Sequence, residues 1–333
     1  MENSVGVSRR VTVIIVNYNS GALLERCLQC LRLQTLKADE ILVIDNGSTE
    51  TITSELINVF LEATFVFLEK NIGFAAANNL GVKRAATSEW IAFLNPDAFP
   101  DPHWLSSLLN VADKNREYAF FGSKILCADH PEWIDGIGDV YHTSGMVWRF
   151  RHGCRLSAND NVSREIFSPC AAAALYRRDA FLEAGGFDET YFCYSEDVDL
   201  GFRMRLLGYR CLYVPEAIVY HLGSAISGVH SDFYIYHGHR NLAWTYMKDM
   251  PFVLFLMYIP QHILLNLFSL FWFFLNGKGS VILSAKLDAL KGLAGVFKKR
   301  KVIQKGRKIA TWKLRKGMAI GLRGLYSRKR VDI

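Results

Sequence analysis

The chain has 333 residues, half of them hydrophobic and 21% charged, a balance that excludes wholesale disorder, collagen-like repeats and low-complexity assemblies. Its net charge of +7 is uneven: residues 277–333 carry 17 Lys and Arg against Asp288 and Asp332, a net of +15, while the first 276 residues carry 22 basic and 30 acidic side chains, a net of −8. The acidic body has no general attraction for polyanions, whereas the basic end is drawn to phosphates.

Val11–Val16 is a continuous β-branched run, as in a strand buried on both faces. A polar turn, Asn17 to Gly21, leads into an amphipathic helix from Leu23 to Leu33. Glu40–Ile44 reads as a second strand ending at Asp45, 51–62 as a helix, and Thr64–Leu68 as a third strand. Asn71 to Phe74 is a loop, Ala75–Ala86 a helix, and Trp90–Leu94 a fourth strand ending at Asn95-Pro96-Asp97. Strands alternating with helices at this spacing imply an α/β fold with a mainly parallel sheet. Asn17, Asp45 and Asp97 each follow a buried strand, where ligands of such sheets sit. No GxGxxG follows Val16, which argues against a dinucleotide-binding domain, and GxxxxGK[ST] is missing, which excludes a P-loop.

Residues 119–126 read as another strand and 127–165 as a long functional loop. Ser195 reads as an N-cap, with Glu196 and Asp197 in the first turn of a helix ended by Gly208. Tyr209–Val214 and Val219–His221 follow as strand-like runs. The seven cysteines are odd in number and scattered; Cys27 and Cys30 fall among helical leucines and read as packing residues. No apolar stretch precedes the first strand, so no signal peptide is expected, and a reducing cytosolic compartment follows.

Taken in order, VTVIIVNYNS, EILVIDNGSTE, NIGFAAANN, FLNPDA, GGFDETYF, YSEDVDLGFRMRLLGYR and His221 resemble the family 2 inverting glycosyltransferases, most of all the bacterial rhamnosyltransferase-type members, over roughly residues 10–245. The resemblance implies a GT-A fold (a Rossmann-like nucleotide-diphospho-sugar transferase), a nucleotide-sugar donor and a divalent metal, Mg²⁺ or Mn²⁺, on the diphosphate. It implies that Asp197 is the catalytic base, that Asp97 and His221 bind the metal, and that Asp45 reads the base beside Asn17 and Tyr18. It further implies that Asn71, Gly73 and Asn78 line the nucleotide and its ribose. Asn95 stands where the family's metal element starts with an acid, leaving fewer anionic ligands at the donor-binding edge. His237, Arg240 and Asn241 fit a family pattern near the phosphates or the acceptor. The chemistry fits these residue types: a cation offsets charge growing on the diphosphate, and a carboxylate takes the acceptor's proton. The helix dipole is expected to keep Asp197 ionised.

Pro251–Leu275 contains no charged residue. Pro260 is expected to divide it into 252–259 and 263–275, each too short to cross a hydrocarbon core of about 30 Å. Leu283, Leu287, Leu290, Ala294 and Phe297 repeat at helical spacing. Basic clusters follow at Lys298–Lys301, Arg307-Lys308, Arg315-Lys316 and Arg328–Arg330, with Trp312 and Tyr326 between them, as in elements that lie on anionic membrane surfaces. Nucleic acid fits that charge but not the apolar run before it. The chain therefore divides into a catalytic domain, 1–248, and a membrane-associating tail, 249–333. The expected activity is transfer of a sugar, rhamnose from a dTDP donor, to a glycan or lipid-linked acceptor at the cytoplasmic membrane face. UDP- or GDP-linked donors fit the same residues, and a non-catalytic nucleotide-sugar-binding scaffold is the rival outside enzymes.

Overall fold

A computed structural model describes residues 10–50, 52–223 and 231–321. The N-terminal part is built from β1 (Val11–Asn17), α1 (Gly21–Arg32), β2 (Glu40–Asp45), α2 (Ser54–Val59), β3 (Ala63–Phe67), α3 (Phe74–Arg84) and β4 (Trp90–Leu94). β1 pairs in parallel with both β2 and β4, and β2 with β3. Burial explains the sequence pattern: every residue of β1 and β4 is buried, so neither strand alternates. The helix expected over 51–62 shortens to six residues, capped by the Thr53 hydroxyl, which accepts from Leu56 N at 3.2 Å.

Beyond β4 come β5 (Ala98–Pro100), α4 (Trp104–Lys114), β6 (Tyr118–Cys127), β7 (Trp133–Gly136), β8 (Asp139–Tyr141), β9 (Val147–Arg149), β10 (Cys154–Arg155), β11 (Arg164–Ile166) and β12 (Ala173–Arg177). The 127–165 region is therefore no loop. Its strands are two to four residues long, too short for an alternation to register. β12 enters the main sheet antiparallel between β4 and β6, giving the order β10-β7-β6-β12-β4-β1-β2-β3. The last sheet-side elements are α5 (Arg178–Glu183), α6 (Glu196–Leu206) and β13 (Arg210–His221). β13 is one strand with a register shift between Val214 and Ile218, not two runs, and pairs with β5, β6 and β11. Apolar cores fill both sheet faces. Cys27 is fully buried in one of them, and all seven cysteines are free.

The chain ends in helices: α7 (Asp232–Asp249), α8 (Phe252–Leu275), α9 (Gly279–Lys291), α10 (Leu293–Lys305) and α11 (Thr311–Lys316). The expected break at Pro260 does not occur; α8 is a single helix of 24 residues, about 36 Å long. Proline removes one intrahelical N–H, but His262 next to it is clamped against the body. Its ring stacks on Tyr246 at 3.9 Å, and its Nδ1 lies 2.8 Å from Ser144 O. The boundary expected at 248/249 falls in the last turn of α7, and both sides of it share one core: Val198, Phe202 and Leu206 of α6 pack with Leu254, Tyr258 and Leu314. Tyr326 and Arg328–Arg330 lie outside the described residues.

Candidate active site

The parallel register places Asn17 beside Asp45 at the carboxyl edge of the sheet. Asn17 Nδ2 donates to Asp45 Oδ1 at 2.8 Å, and Ser48 Oγ donates to the same oxygen at 2.5 Å. Asn17 Oδ1 and Asn95 Oδ1 are buried with no protein partner, a costly state unless a ligand supplies the donors. Tyr18 is half-buried next to Asn17. Asn46 ties in the following loop: its Nδ2 donates to Asn71 Oδ1 at 3.0 Å, while Asn71 Oδ1 also accepts from Gly73 N at 2.8 Å. Gly73 has φ +88°, and a Cβ there would stand 2.6 Å from the Phe192 ring, so glycine is required twice over. Asn78 is buried in α3 and donates to Phe74 O.

Asp97 lies in the turn between β4 and β5, and His221 closes β13; the β5–β13 pairing brings them together. Asp97 Oδ1 and His221 Nε2 face each other at 3.3 Å, both buried, and neither has another hydrogen-bond partner. On its other side His221 Nδ1 lies 2.9 Å from Asp135 Oδ2. Burial alone would lower the His221 pKa, but Asp135 and Asp97 outweigh it and lift it to about 9. A carboxylate on the second nitrogen is the usual partner of a metal-ligating histidine. Among the described residues no group of three or more His, Cys, Asp or Glu is placed to hold a metal ion. The pair could therefore contribute two ligands, leaving further positions for diphosphate oxygens and water.

Asp135 itself is braced by Arg149, whose Nη1 lies 2.5 Å from Asp135 Oδ2, and by His152. Burial pushes its carboxyl pKa up, yet Arg149, His152 and His221 together hold it well below the usual range. Arg149 also acts on Asp197 across the site. Asp197 Oδ2 accepts from Ala171 N at 3.1 Å and Oδ1 from Val198 N at 2.8 Å. Burial raises the Asp197 pKa, and these N–H groups and Arg149 oppose that without cancelling it. Asp139, on β8, is raised to about 8 by burial and by the charge of Asp197. Asp135, Asp139 and Arg149 all fall in the supposed loop, so sequence periodicity missed them. Asp135 ties Arg149 to His221, and so to the Asp97–His221 pair.

Ser195 holds the N-cap position of α6, but its hydroxyl caps nothing. It belongs to a strained segment: Phe192, Tyr194 and Ser195 have φ of 65°, 69° and 63°, in the region that side chains other than glycine rarely adopt. The fully buried Asn241 holds this segment, its Nδ2 donating to Tyr191 O, Cys193 O and Tyr194 O at 3.0, 2.9 and 2.8 Å. Arg240 donates to Tyr191 O, and His237 stacks on Phe192. The three residues His237, Arg240 and Asn241 thus support the loop before Asp197. Asp199 anchors α6 from below through Arg203 at 2.6 Å, Tyr191 OH at 3.0 Å and Lys248.

The family model described as Glycosyl transferase family 2 matches residues 12–185. An N-acetylglucosaminyl-diphospho-decaprenol L-rhamnosyltransferase of Mycobacterium tuberculosis is 27% identical over 261 residues, spanning 70% of this chain and 85% of that protein. A mannosyltransferase of Pyrobaculum calidifontis, solved with GDP-Man and Mn²⁺, superposes with a TM-score of 0.53 at 16% identity, over 96% of this chain and 88% of that one. GalNAc-T7, solved with UDP, GalNAc and Mn²⁺, gives a TM-score of 0.58 at 17% identity over 72% of this chain; the chain spans 48% of that structure's length. At these identities the structural likeness shows the fold, a GT-A-like α/β sheet.

Proposed function

This chain belongs to glycosyl transferase family 2, and on that premise we propose that it transfers L-rhamnose from dTDP-rhamnose, with inversion, to a glycan or lipid-linked acceptor of cell-surface polysaccharide synthesis at the cytoplasmic membrane face. The observation that carries this reading is the buried pair Asp97 Oδ1 and His221 Nε2, 3.3 Å apart with no other hydrogen-bond partner, braced from the far side of the imidazole by Asp135. Bound by Asp97 and His221, Mg²⁺ or Mn²⁺ would offset the negative charge that grows on the diphosphate as it leaves.

The chain's own residues do the rest. Asn17, Tyr18 and Asp45 receive the base, Asn71, Gly73 and Asn78 line the nucleotide, and Asn95 offers its unpartnered oxygen to the donor. Asp135 holds the His221 ring so that Nε2 points at Asp97. Asp197 accepts the acceptor hydroxyl's proton as that oxygen bonds the anomeric carbon and the carbon–diphosphate bond breaks. The nucleoside diphosphate leaves, and no protein nucleophile is required. The relative named as a rhamnosyltransferase acting on a diphospho-decaprenol supports both the sugar and the lipid-linked acceptor. The exposed apolar face of α8 supports the membrane location.

Binding of a panel of dTDP-, UDP- and GDP-sugars in the presence of Mn²⁺, read by thermal shift, tests the donor. Stabilisation by dTDP-rhamnose above the others is expected; a stronger response to a UDP- or GDP-sugar contradicts the rhamnose assignment.

A further inference from the structure

α8 has two unlike sides. Leu254, Tyr258, His262 and Ser269 are buried, whereas Leu256, Leu264, Leu267, Phe271 and Phe274 are between 53% and 75% exposed. At 3.6 residues per turn those five lie on the opposite side, and with the exposed Phe252, Ile263, Phe268 and Trp272 the apolar face covers about 200°. The protein grips the buried side along nearly the whole helix. Phe255 meets Tyr246, His262 meets Ser144, Asn266 meets Lys286 and Phe273 meets His239. A transmembrane placement would draw His239, Lys286 and the β8–β9 hairpin into hydrocarbon. Length alone would permit a span; the contacts do not.

The surface continues past α8. Leu283, Leu287 and Leu290 of α9 are 51%, 46% and 62% exposed. Lys298, Lys301 and Lys305 are exposed along one face of α10, and Asp288 is the single acid between 277 and 321. Apolar stripes beside unopposed lysines match the core and headgroups of an anionic bilayer. A second copy of this chain would instead set lysine against lysine.

The geometry points to α8 and α9 as a flat interfacial platform that seats the catalytic domain on an anionic lipid surface without crossing it. This rests on the reading of a membrane-borne acceptor, and it adds an orientation. The tip of the β8–β9 hairpin, His142–Met146, sits on α8 through Ser144 and Gly145. Val198, next to Asp197 on α6, packs in one core with Leu254 and Tyr258 of α8. The base side of the site is thereby held close above the lipid.

Flotation of the full chain with phosphatidylcholine vesicles, with and without phosphatidylglycerol, tests the platform. The chain is expected to float with both and more with the anionic mixture. Phe271→Glu should lower binding to both by about tenfold or more. The triple change Lys298→Gln, Lys301→Gln, Lys305→Gln should lower only the anionic increment, also by about tenfold or more. Trp272 fluorescence, isolated by difference against Trp272→Phe, should be quenched best by lipids brominated near the headgroup. Absence from both vesicle types, an unchanged Phe271→Glu variant, quenching best at the bilayer centre, or a dimer in solution that Phe271→Glu dissociates would each overturn it. Nucleotide binding by Phe271→Glu, measured without lipid, separates this failure from failure of the glycosyltransferase reading.

Discussion

The nucleotide edge and the base end of the site are held by different kinds of contact. At the nucleotide edge the polar side chains brace one another within 10–95: Asn17, Asp45 and Ser48 form one knot, Asn46, Asn71 and Gly73 the next. At the Asp197 end the strained segment before it is held by Asn241 in α7, while the Asp197 carboxylate itself accepts from Ala171 N, before β12, and is offset by the charge of Arg149 in β9. Local knots make a rigid cradle that survives single changes. A base held from three distant elements is tunable, and each of its supports is a separate point of failure.

The contrast breaks most sharply at Asp197 itself. Asp197→Asn is nearly isosteric but takes up no proton at neutral pH, so transfer should fall by about 10² or more while nucleotide affinity stays level. Steady-state rates with calorimetric nucleotide binding check both halves; parallel losses would mean that base and cradle are not separate.

Asp135→Asn sharpens the contrast at the metal pair. The amide keeps the shape but weakens the brace on His221 and releases Arg149, so Mn²⁺ affinity should fall by about 10–100-fold. Mn²⁺ titration followed by electron paramagnetic resonance reads this without turnover. Unchanged affinity would make Asp135 a purely structural partner of Arg149.

Asn241→Leu keeps the volume and removes the donor to three carbonyls. With one buried amide lost, about 1–3 kcal/mol of stability should go, and the turnover number should fall about tenfold with nucleotide affinity unmoved. Equal changes in both kinetic constants would place Asn241 outside the base end.

These partners were legible in the sequence to different degrees. β1, β2 and β4 announce themselves by unbroken apolar runs, and the polar residues after them are displaced by at most a residue or two in the structure. Asp97 and His221, 124 positions apart, could be paired only through the family resemblance. Asp135, Asp139 and Arg149 gave no signal, because strands of three or four residues carry too few alternations to reveal a face. Pro260 misled for a different reason: a helix-breaking residue was tolerated because His262, two positions on, is pinned to Tyr246 and Ser144. Tertiary packing overrode local propensity.

The smallest expected effect concerns pH. The Asp139 pKa is raised in the folded chain to about 8, above its usual value near 4. Its proton therefore stabilises the fold fully below about pH 4, and that contribution is lost as pH rises towards about 8. Asp139→Asn should remove this loss, so the gap between variant and parent melting temperatures should widen from pH 6 to pH 8. Parallel melting profiles would show that Asp139 is not held protonated.

The most direct test of a metal pair and a base acting as separate ends of one site is calorimetric titration of dTDP, with and without Mn²⁺, into the parent chain, Asp97→Ala and Asp197→Asn. Mn²⁺ should strengthen dTDP binding in the parent and in Asp197→Asn but not in Asp97→Ala. Binding that ignores Mn²⁺ in all three proteins, or an Asp197→Asn variant that loses the Mn²⁺ effect as fully as Asp97→Ala does, would contradict it.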